Sequence, residues 1–232
     1  MASPALAVIL DFDGLIVDTE TPIFEAWRTV YRRRGQTLGL DSWQHALGTH
    51  GGFDPYAQLG GLLGESLAHD ALLEEVQVLN RAACDAQPLL PGVLELLRAA
   101  RSLGLGTAVA SSSTRGWVLG WLARHAIRDW FDVLCGREDV AQVKPAPDLF
   151  LLAAERLGVP PAACVVFEDS PNGMRAARAA GMPCVAVPNA LTRDLALPDP
   201  DLVVTSLAEY TLTEILGRLR SASPSAVQLS PA

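Results

Sequence analysis

Two aspartates separated by a single residue, Asp11 and Asp13, are the first side chains whose type and spacing suggest chemistry. They directly follow the apolar run from Ala5 to Leu10, which predicts a buried β-strand. Residues i and i+2 of an extended segment project to the same side, so we expect the two carboxylates to lie close together. Close carboxylates repel one another, and a bound cation relieves that repulsion. The pair therefore predicts a catalytic or metal-binding site at the end of this strand.

Other polar side chains follow later predicted strands. Ser111 ends a second strand, and the pair Glu168 and Asp169 ends another. Lys144 lies in a loop just before a predicted helix. Ligands of open α/β sheets bind at the carboxyl ends of the strands, so we expect these side chains to meet the aspartate pair there. Acids, a lysine and a hydroxyl at one edge are suited to magnesium-assisted chemistry on a phosphate.

Each acid has a predicted role in phosphoryl transfer, which needs a nucleophile, a proton donor for the leaving oxygen and charge neutralisation. Asp11 is the predicted nucleophile, because a carboxylate can form an aspartyl-phosphate. Asp13 is predicted to protonate the leaving group and then to activate water. Mg²⁺ prefers oxygen ligands, and Asp11 and Asp169 are the expected carboxylate ligands. Glu168 lies close by or acts through water, and the backbone carbonyl of Asp13 completes the predicted metal ligands.

The predicted phosphate site combines hydroxyl, N–H and lysine groups. Ser111, Ser112 and the free N–H groups at the start of the next helix offer hydrogen-bond donors to a phosphate. Lys144 adds a positive point charge. Taken singly, each feature also has a structural interpretation: a turn, a strand-to-helix cap, a surface lysine or an acidic helix start. Their occurrence in order, each at a strand end or in an adjoining loop, favours one shared site.

The alternation of strands and helices predicts the fold. From Pro88 onwards, strands alternate with helices of ten or more residues, which is typical of a doubly wound parallel sheet. Residues 17–87 contain helical patterns and no convincing strand. We therefore predict an α/β fold whose core comprises residues 1–16 and 88–220, with residues 17–87 inserted as an all-helical cap. Residues 221–232, rich in Ser, Pro and Ala, are predicted to be disordered.

Hydrophobic periodicity and side-chain size lead to three local expectations. The long helix of the cap is predicted over residues 66–86, and the last helix over residues 207–219. The tryptophans are large apolar side chains, and we expect all of them to serve in packing. They are Trp27, Trp43, Trp117, Trp121 and Trp130.

Composition narrows the classes of protein. The chain has 232 residues, is 50% hydrophobic and carries a formal net charge of −8, so nucleic-acid binding is not expected. Its four cysteines are scattered, which suits a reducing compartment and neither a disulfide framework nor a zinc site. The N-terminus lacks the basic region of a signal peptide, and no apolar run reaches the length of a membrane span. We expect a cytoplasmic monomer with no membrane partner.

These motifs resemble those of the haloacid dehalogenase superfamily, in the branch with a helical cap after the first strand. The resemblance covers residues 5–205, and within the superfamily the motifs are similar to those of the β-phosphoglucomutase-like phosphatases. It implies a Rossmann-like core, an aspartyl-phosphate intermediate, Mg²⁺ dependence and a cap that closes over a small phosphorylated metabolite. The residues that carry it are Asp11-Phe12-Asp13-Gly14-Leu15, Ser111, Lys144-Pro145-Ala146-Pro147-Asp148 and Glu168-Asp169-Ser170-Pro171-Asn172-Gly173.

Several functions other than phosphatase activity compete as explanations of these motifs. Dehalogenases of this superfamily need no metal and lack an acid two residues after the nucleophile, so Asp13 argues against them. β-Phosphoglucomutases carry a histidine and an arginine in the cap, where this chain has Ile23 and a loop from Thr49 to Gly52. Hydrolysis is therefore preferred over mutase activity. A non-catalytic protein that binds phosphorylated ligands, and an interaction scaffold, are alternatives of another class. An EF-hand is excluded by the positions of Gly14 and Pro22.

The cap determines the substrate in the related enzymes, and its sequence is less informative. Small polar and glycine residues near the cap loop are the predicted substrate-facing positions: Thr19, His50, Gly51 and Gly52. The expected substrate is a sugar phosphate or a similar small phosphomonoester.

Overall fold

The computed structural model describes residues 5–49 and 51–222. In this part of the chain, six strands form one parallel sheet in the order β3-β2-β1-β4-β5-β6. The strands are β1 (Ala7–Leu10), β2 (Gly106–Ala110), β3 (Val133–Cys135), β4 (Cys164–Glu168), β5 (Cys184–Ala186) and β6 (Leu202–Val203). The prediction of a doubly wound parallel α/β fold is therefore confirmed.

Helices connect the strands and also form a block after β1. The α-helices are α1 (Glu20–Arg33), α2 (Leu40–Trp43), α3 (Pro55–Leu63), α4 (His69–Asp85), α5 (Val93–Ser102), α6 (Arg115–Arg124), α7 (Asp148–Leu157), α8 (Pro171–Ala179) and α9 (Leu212–Ala222). Short 3₁₀ helices occupy Arg128–Trp130, Arg137–Asp139 and Pro161–Ala163. Within the described residues, no helix is long and apolar enough to span a membrane.

The sheet is buried on both faces because successive strand residues point to opposite sides. In β1, Val8 and Leu10 pack against α5, α6 and α9. Ala7 and Ile9 point to the other face and pack against α7 and α8. Near-continuous apolar strands are typical of parallel sheets covered by helices on both faces. The apolar run before Asp11 thus has a structural reason.

The helices between residues 20 and 85 share an apolar cluster of their own. Tyr31 of α1 and Leu59 of α3 are fully buried in it, and α1 packs against α4. Arg33 and Arg34 at the end of α1 form ion pairs with Glu75 of α4 at 2.7 and 2.8 Å. Exposed pairs of this kind add little stability, so the apolar contacts hold the block together.

The sequence prediction missed one helix and began two others too early; one of these, α4, begins at His69 rather than at residue 66. For the missed helix and for the last helix, a capping residue explains the difference. The sequence prediction did not include α3. This helix begins at Pro55, and the side chain of its N-cap residue Asp54 accepts hydrogen bonds from the Tyr56 and Ala57 N–H groups. The last helix begins at Leu212 rather than at residue 207. A capping box starts it there, since Thr211 N–H donates to Glu214 and the Glu214 N–H donates to Thr211 Oγ1.

The register of the sheet brings the polar strand ends together. Leu10 is the partner of Val109 on one side and of Phe167 on the other. The Asp11 N–H still donates to the Phe167 carbonyl, at 3.0 Å. The residues that follow these three central strands therefore emerge at one edge of the sheet.

Candidate active site

Three buried carboxylates meet at this edge. Asp11 follows β1, Glu168 is the last residue of β4, and Asp169 follows it. One oxygen from each lies within 4.8 Å of the others. All three side chains are buried. Burial of this much negative charge requires compensation by cations.

Lys144 supplies part of that compensation. It is fully buried in the loop before α7, and its Nζ donates hydrogen bonds to Asp11 Oδ1 and, at 2.6 Å, to Glu168 Oε1. Burial alone would lower the pKa of Lys144, but Asp11 and Glu168 outweigh burial and raise it, so the lysine stays charged. The sequence predicted Lys144 as a phosphate ligand, and its ammonium group lies at the predicted edge.

The remaining acid, Asp169, has an oxygen suited to a cation. Its Oδ1 is buried and has no hydrogen-bond partner among the described residues. Burial raises the pKa of Asp169 well above its usual value, and repulsion from Glu168 and Asp11 adds to the shift. Burial also raises the pKa of Asp11, against the attraction of Lys144. A hard divalent cation with oxygen ligands fits this donor set, and Asp11 and Asp169 would hold it.

Asn189, which the sequence interpretation missed, fixes the other oxygen of Asp169. Its Nδ2 donates to Asp169 Oδ2 at 2.7 Å and to the Gly14 carbonyl at 3.2 Å. Asn189 follows β5 by a few residues, so the rule applied to the earlier strands would have found it. Its contact turns the free Oδ1 of Asp169 away from the amide.

Glu168 is fully engaged by neighbouring groups. Its Oε2 accepts hydrogen bonds from Ser170 N–H at 3.1 Å and from Ser170 Oγ at 3.0 Å, while Oε1 faces Lys144. A Cβ at Gly173 would lie 1.8 Å from the Glu168 carboxylate, so only glycine fits there. Both oxygens of Glu168 thus have hydrogen-bond donors, and its contact with a metal, directly or through water, stays a prediction.

Asp13 lies near Asp11, whose pKa it helps to raise, but its carboxylate has other hydrogen-bond partners than the cluster has. Among the described residues, four donors reach its carboxylate. Thr19 Oγ1 and Trp117 Nε1 donate to Oδ1 at 2.6 and 2.8 Å. Ser111 Oγ and Ser113 Oγ donate to Oδ2 at 3.2 and 2.7 Å. The side chain of Asp13 is thus not a member of the cluster, and its predicted metal contact through the backbone carbonyl stays a prediction.

Two of these partners were not foreseen. Trp117 was predicted to serve in packing; it does contact Trp121, but it is 38% exposed and its indole N–H also donates to Asp13. No local signal marks Trp117, because it lies 104 positions from Asp13. Ser113 lies in the serine run that includes the predicted Ser111 and Ser112.

The cap loop lies directly on the core motifs. Ser112 Oγ donates to the Gly48 carbonyl at 3.1 Å, and Thr49 Oγ1 donates to the Lys144 carbonyl at 2.5 Å. Asn172 Nδ2 donates to the Leu47 carbonyl at 2.9 Å. The Ser112 hydroxyl therefore faces the cap, and it must leave Gly48 to bind a phosphate as predicted.

The other predicted cap positions differ in their surroundings. Thr19 contacts Asp13 directly and is buried. Gly51 and Gly52 are exposed and line a cleft of about 430 Å³ together with Thr49 and Asn172. His50 lies outside the described residues. Substrate contact by these residues stays a prediction.

A further acid, Glu20, lies at the start of α1 and was not assigned a role. Burial raises its pKa well above the usual value, and repulsion from Asp13 and Asp11 adds to the shift. Glu20 therefore faces the same region from the cap side. Burial and these neighbouring acids favour the neutral form of Glu20.

Comparison with known proteins identifies the family. The model of the haloacid dehalogenase-like hydrolases matches residues 6–181. The chain therefore belongs to the haloacid dehalogenase-like hydrolase family, and the predicted family and enzyme class are confirmed.

Curated relatives cover most of the chain. It is 42% identical over 215 residues to YhcW of Bacillus subtilis, a candidate phosphatase by name, which spans 93% of this chain and 98% of the relative. It is 33% identical over 182 residues to the fructose-1-phosphate phosphatase YqaB of Escherichia coli, spanning 78% and 95% of the two chains.

Solved structures agree on the architecture. A CbbY variant from Rhodobacter sphaeroides in complex with xylulose-(1,5)bisphosphate superposes with a TM-score of 0.70 at 28% identity, covering 88% of this chain and 96% of that one. A haloacid dehalogenase family hydrolase from Deinococcus radiodurans with bound phosphate and sodium gives 0.73 at 29% identity, covering 96% and 99%.

Proposed function

We propose that this enzyme is a Mg²⁺-dependent phosphatase that hydrolyses a small phosphomonoester through an aspartyl-phosphate on Asp11. The observation that carries the proposal is the buried cluster of Asp11, Glu168 and Asp169 joined to Lys144, with Asp13 beside it. This arrangement offers a nucleophile, positive charge and a second carboxylate for proton transfer.

The first half-reaction is phosphoryl transfer to the enzyme. A carboxylate oxygen of Asp11 attacks the phosphorus, the bond to the leaving oxygen breaks, and Asp13 gives that oxygen a proton. Lys144 offsets negative charge beside Asp11, and Ser111 offers a hydrogen bond to a phosphate oxygen. Bound by Asp11 and Asp169, Mg²⁺ would supply further charge neutralisation on the phosphate.

The second half-reaction returns the enzyme to its starting state. Asp13 takes a proton from water as that water attacks the phosphorus, which releases inorganic phosphate and restores the Asp11 carboxylate. The hydrogen bonds to Asp13 from Thr19, Ser111 and Ser113 can rearrange as the proton moves, since hydroxyl groups both donate and accept.

A sugar phosphate or a similar metabolite is the proposed substrate class. Support comes from the relatives, which include a fructose-1-phosphate phosphatase and a CbbY variant crystallised with xylulose-(1,5)bisphosphate. Ile23, at the position where the mutases were expected to carry a histidine, packs against the apolar cluster of the cap. An aliphatic side chain cannot take a proton, which favours hydrolysis over phosphate migration.

The test is a panel of phosphorylated metabolites, assayed for phosphate release with and without Mg²⁺. We expect release that requires Mg²⁺ and falls on the order of 10³-fold or more in Asp11→Asn. Asp41 is an exposed acid of the cap, so Asp41→Asn is a matched control and should retain wild-type turnover. Absence of release from every metabolite would favour a binding-only protein. Conversion of β-glucose 1-phosphate to glucose 6-phosphate would favour the mutase.

A further inference from the structure

The hydrogen bonds to Asp13 come from two kinds of donor. Thr19, Ser111 and Ser113 offer hydroxyl groups, whereas Trp117 offers an indole N–H at 2.8 Å from Oδ1. A hydroxyl rotates about its C–O bond and can donate to another acceptor or become an acceptor itself. An indole N–H can only donate, and its direction is set by the position of the ring. The indole is therefore the fixed donor of this set.

The serine hydroxyls also have competing partners. Ser111 Oγ accepts a hydrogen bond from the Ser113 N–H at 3.0 Å while it donates to Asp13 at the longer distance of 3.2 Å. In the proposed reaction, Ser111 donates to an oxygen of the substrate phosphate. Each hydroxyl that turns towards the phosphate is lost to Asp13, so the carboxylate loses restraint when the substrate binds.

Two contacts restrain Trp117, one at its backbone and one at its ring. Its backbone N–H donates to Thr114 Oγ1 at 3.2 Å, which caps the start of α6. The ring packs edge-on against Trp121, with 5.7 Å between ring centroids, and Arg124 lies over Trp121 at 4.8 Å. The cap of α6 restrains the backbone at Trp117, and the contact with Trp121 restrains its ring.

Trp117 also faces a cleft on the side of the ring away from its hydrogen-bonding edge. It lines a cleft of about 460 Å³ between α4 and α6, together with Asn80, Cys84 and Trp121. The ring thus touches Asp13 with its polar edge and the cleft with an apolar surface.

We infer that Trp117 is a positioning residue, whose indole N–H holds the Asp13 carboxylate in its working orientation when the phosphate draws the Ser111 hydroxyl away. The inference rests on the proposed function, since it concerns the orientation of the proposed proton donor. Trp117 itself does not touch the reacting phosphate. Loss of its N–H affects the chemical step more than it affects substrate binding.

The kinetic test compares Trp117 with a tryptophan outside the site. Trp117→Phe should lower kcat about tenfold, while KM for the same phosphomonoester stays within about twofold. Trp130→Phe removes an equal part of an aromatic ring that stacks with Arg101 and not with Trp117, and it should keep kcat near the wild-type value. A third variant replaces Trp117 by 3-benzothienylalanine, which has the shape of tryptophan with sulfur in place of N–H. It should match Trp117→Phe in kcat and the wild type in melting temperature.

A second measurement is independent of turnover. In a ¹⁵N–¹H spectrum, the indole signal absent from Trp117→Phe is assigned to Trp117, and we expect it to shift in Asp13→Ala but not in Asp41→Asn. An unchanged kcat in the benzothienyl variant, or an indole signal that ignores Asp13→Ala, would overturn the inference. Failure of the proposed function has a different signature, since the wild type would then release no phosphate from any metabolite while the indole signal still responds to Asp13.

Discussion

The unpaired oxygen of Asp169 distinguishes a metal site from a cluster of buried acids held by hydrogen bonds. Lys144 and Ser170 engage Glu168, and Lys144 contacts one oxygen of Asp11. Asp169 Oδ1 is buried without a partner among the described residues. A buried carboxylate oxygen in this state is costly unless a cation binds it.

Metal binding at Asp169 can be measured through stability. Mg²⁺ at about 100 times its Kd should stabilise the wild type by about 2.7 kcal/mol, which raises Tm by roughly 5–10 °C for a chain of this length. Asp169→Asn should show little or no rise, since it loses a carboxylate ligand. Asp194→Asn, which changes an exposed acid, is the control. Equal Mg²⁺ shifts in Asp169→Asn and the wild type in differential scanning fluorimetry would remove Asp169 from the metal site.

The burial of the four cysteines leads to a second prediction at the scale of single residues. Burial raises the pKa of Cys84, Cys135 and Cys164 to about 11, and that of Cys184 higher still. The thiolate is the reactive form, and a raised pKa makes it scarce at pH 8. Iodoacetamide at pH 8 should therefore modify the native protein slowly and the unfolded protein at all four cysteines, as read by mass spectrometry. Rapid modification of any one of them in the native protein would show that it is accessible as thiolate.

At the scale of elements, the approach of the cap loop to the core depends on one glycine. Gly48 has a φ of +69°, and a Cβ there would lie 2.0 Å from Ser170 Oγ, which itself contacts Glu168. Its carbonyl accepts the hydrogen bond from Ser112. The loop can lie this close to the core because the position lacks a side chain.

Gly48→Ala should lower kcat/KM at least tenfold, because the added methyl group pushes the loop away from Ser170 and Ser112. Gly64→Ala is a matched control, since Gly64 has a φ of +68° and a methyl group there would meet no atom of the described residues within 4 Å. Both variants carry backbone strain, and Gly48→Ala adds a clash with Ser170, so its Tm should fall further than that of Gly64→Ala. Equal kcat/KM values for the two variants would mean that contact between Gly48 and the core is not needed for turnover.

At the scale of the whole molecule, the apolar interior is divided. Leu59 is fully buried in the cluster formed by α1, α3 and α4, and Leu97 is fully buried in the cluster between the sheet and its helices. The predicted cap of residues 17–87 and core of residues 1–16 and 88–220 stay a prediction, since Cys84 joins the sheet cluster and Leu191 joins the cap cluster. Whether the two parts behave as separate domains is a question about cooperativity.

Two leucine truncations address that question. Leu59→Ala and Leu97→Ala should each cost about 2–5 kcal/mol by leaving a cavity. If the cap is a separate domain, Leu59→Ala should add an early unfolding transition that leaves the sheet intact, whereas Leu97→Ala should lower the main transition. Urea denaturation followed by circular dichroism and by tryptophan fluorescence distinguishes the cases. Coincident transitions by both probes in both variants would contradict the predicted domain division.

The sequence predicted the sheet, the core motifs and the family, with errors where short capping signals were overlooked. Thr211 with Glu214, and Asp54 with Pro55, are capping pairs that would have corrected the start of α9 and revealed α3. Asn189 was missed although it follows a strand at the same edge of the sheet. These omissions had local signals, so they reflect an incomplete interpretation of the sequence.

Trp117 and Gly48 had no such signal. The contact between Trp117 and Asp13 joins a helix to a strand end across 104 positions, and its length depends on how α6 packs on the sheet. Likewise, the space at Gly48 depends on how closely the cap loop approaches Ser170. Neither distance follows from residue type or spacing, because each depends on the packing of segments far apart in the chain.

The sequence by itself determined that Asp11, Ser111 and Glu168 lie at one edge. Parallel strands joined by helical crossovers all point the same way, so residues that directly follow them emerge together whatever the details of packing. Only the tertiary structure decided which groups touch: Lys144 between two acids, Asp169 with an unpaired oxygen, and Asp13 with other hydrogen-bond partners than the cluster has. Hydrogen bonds form over about 3 Å, and topology alone does not define positions that closely.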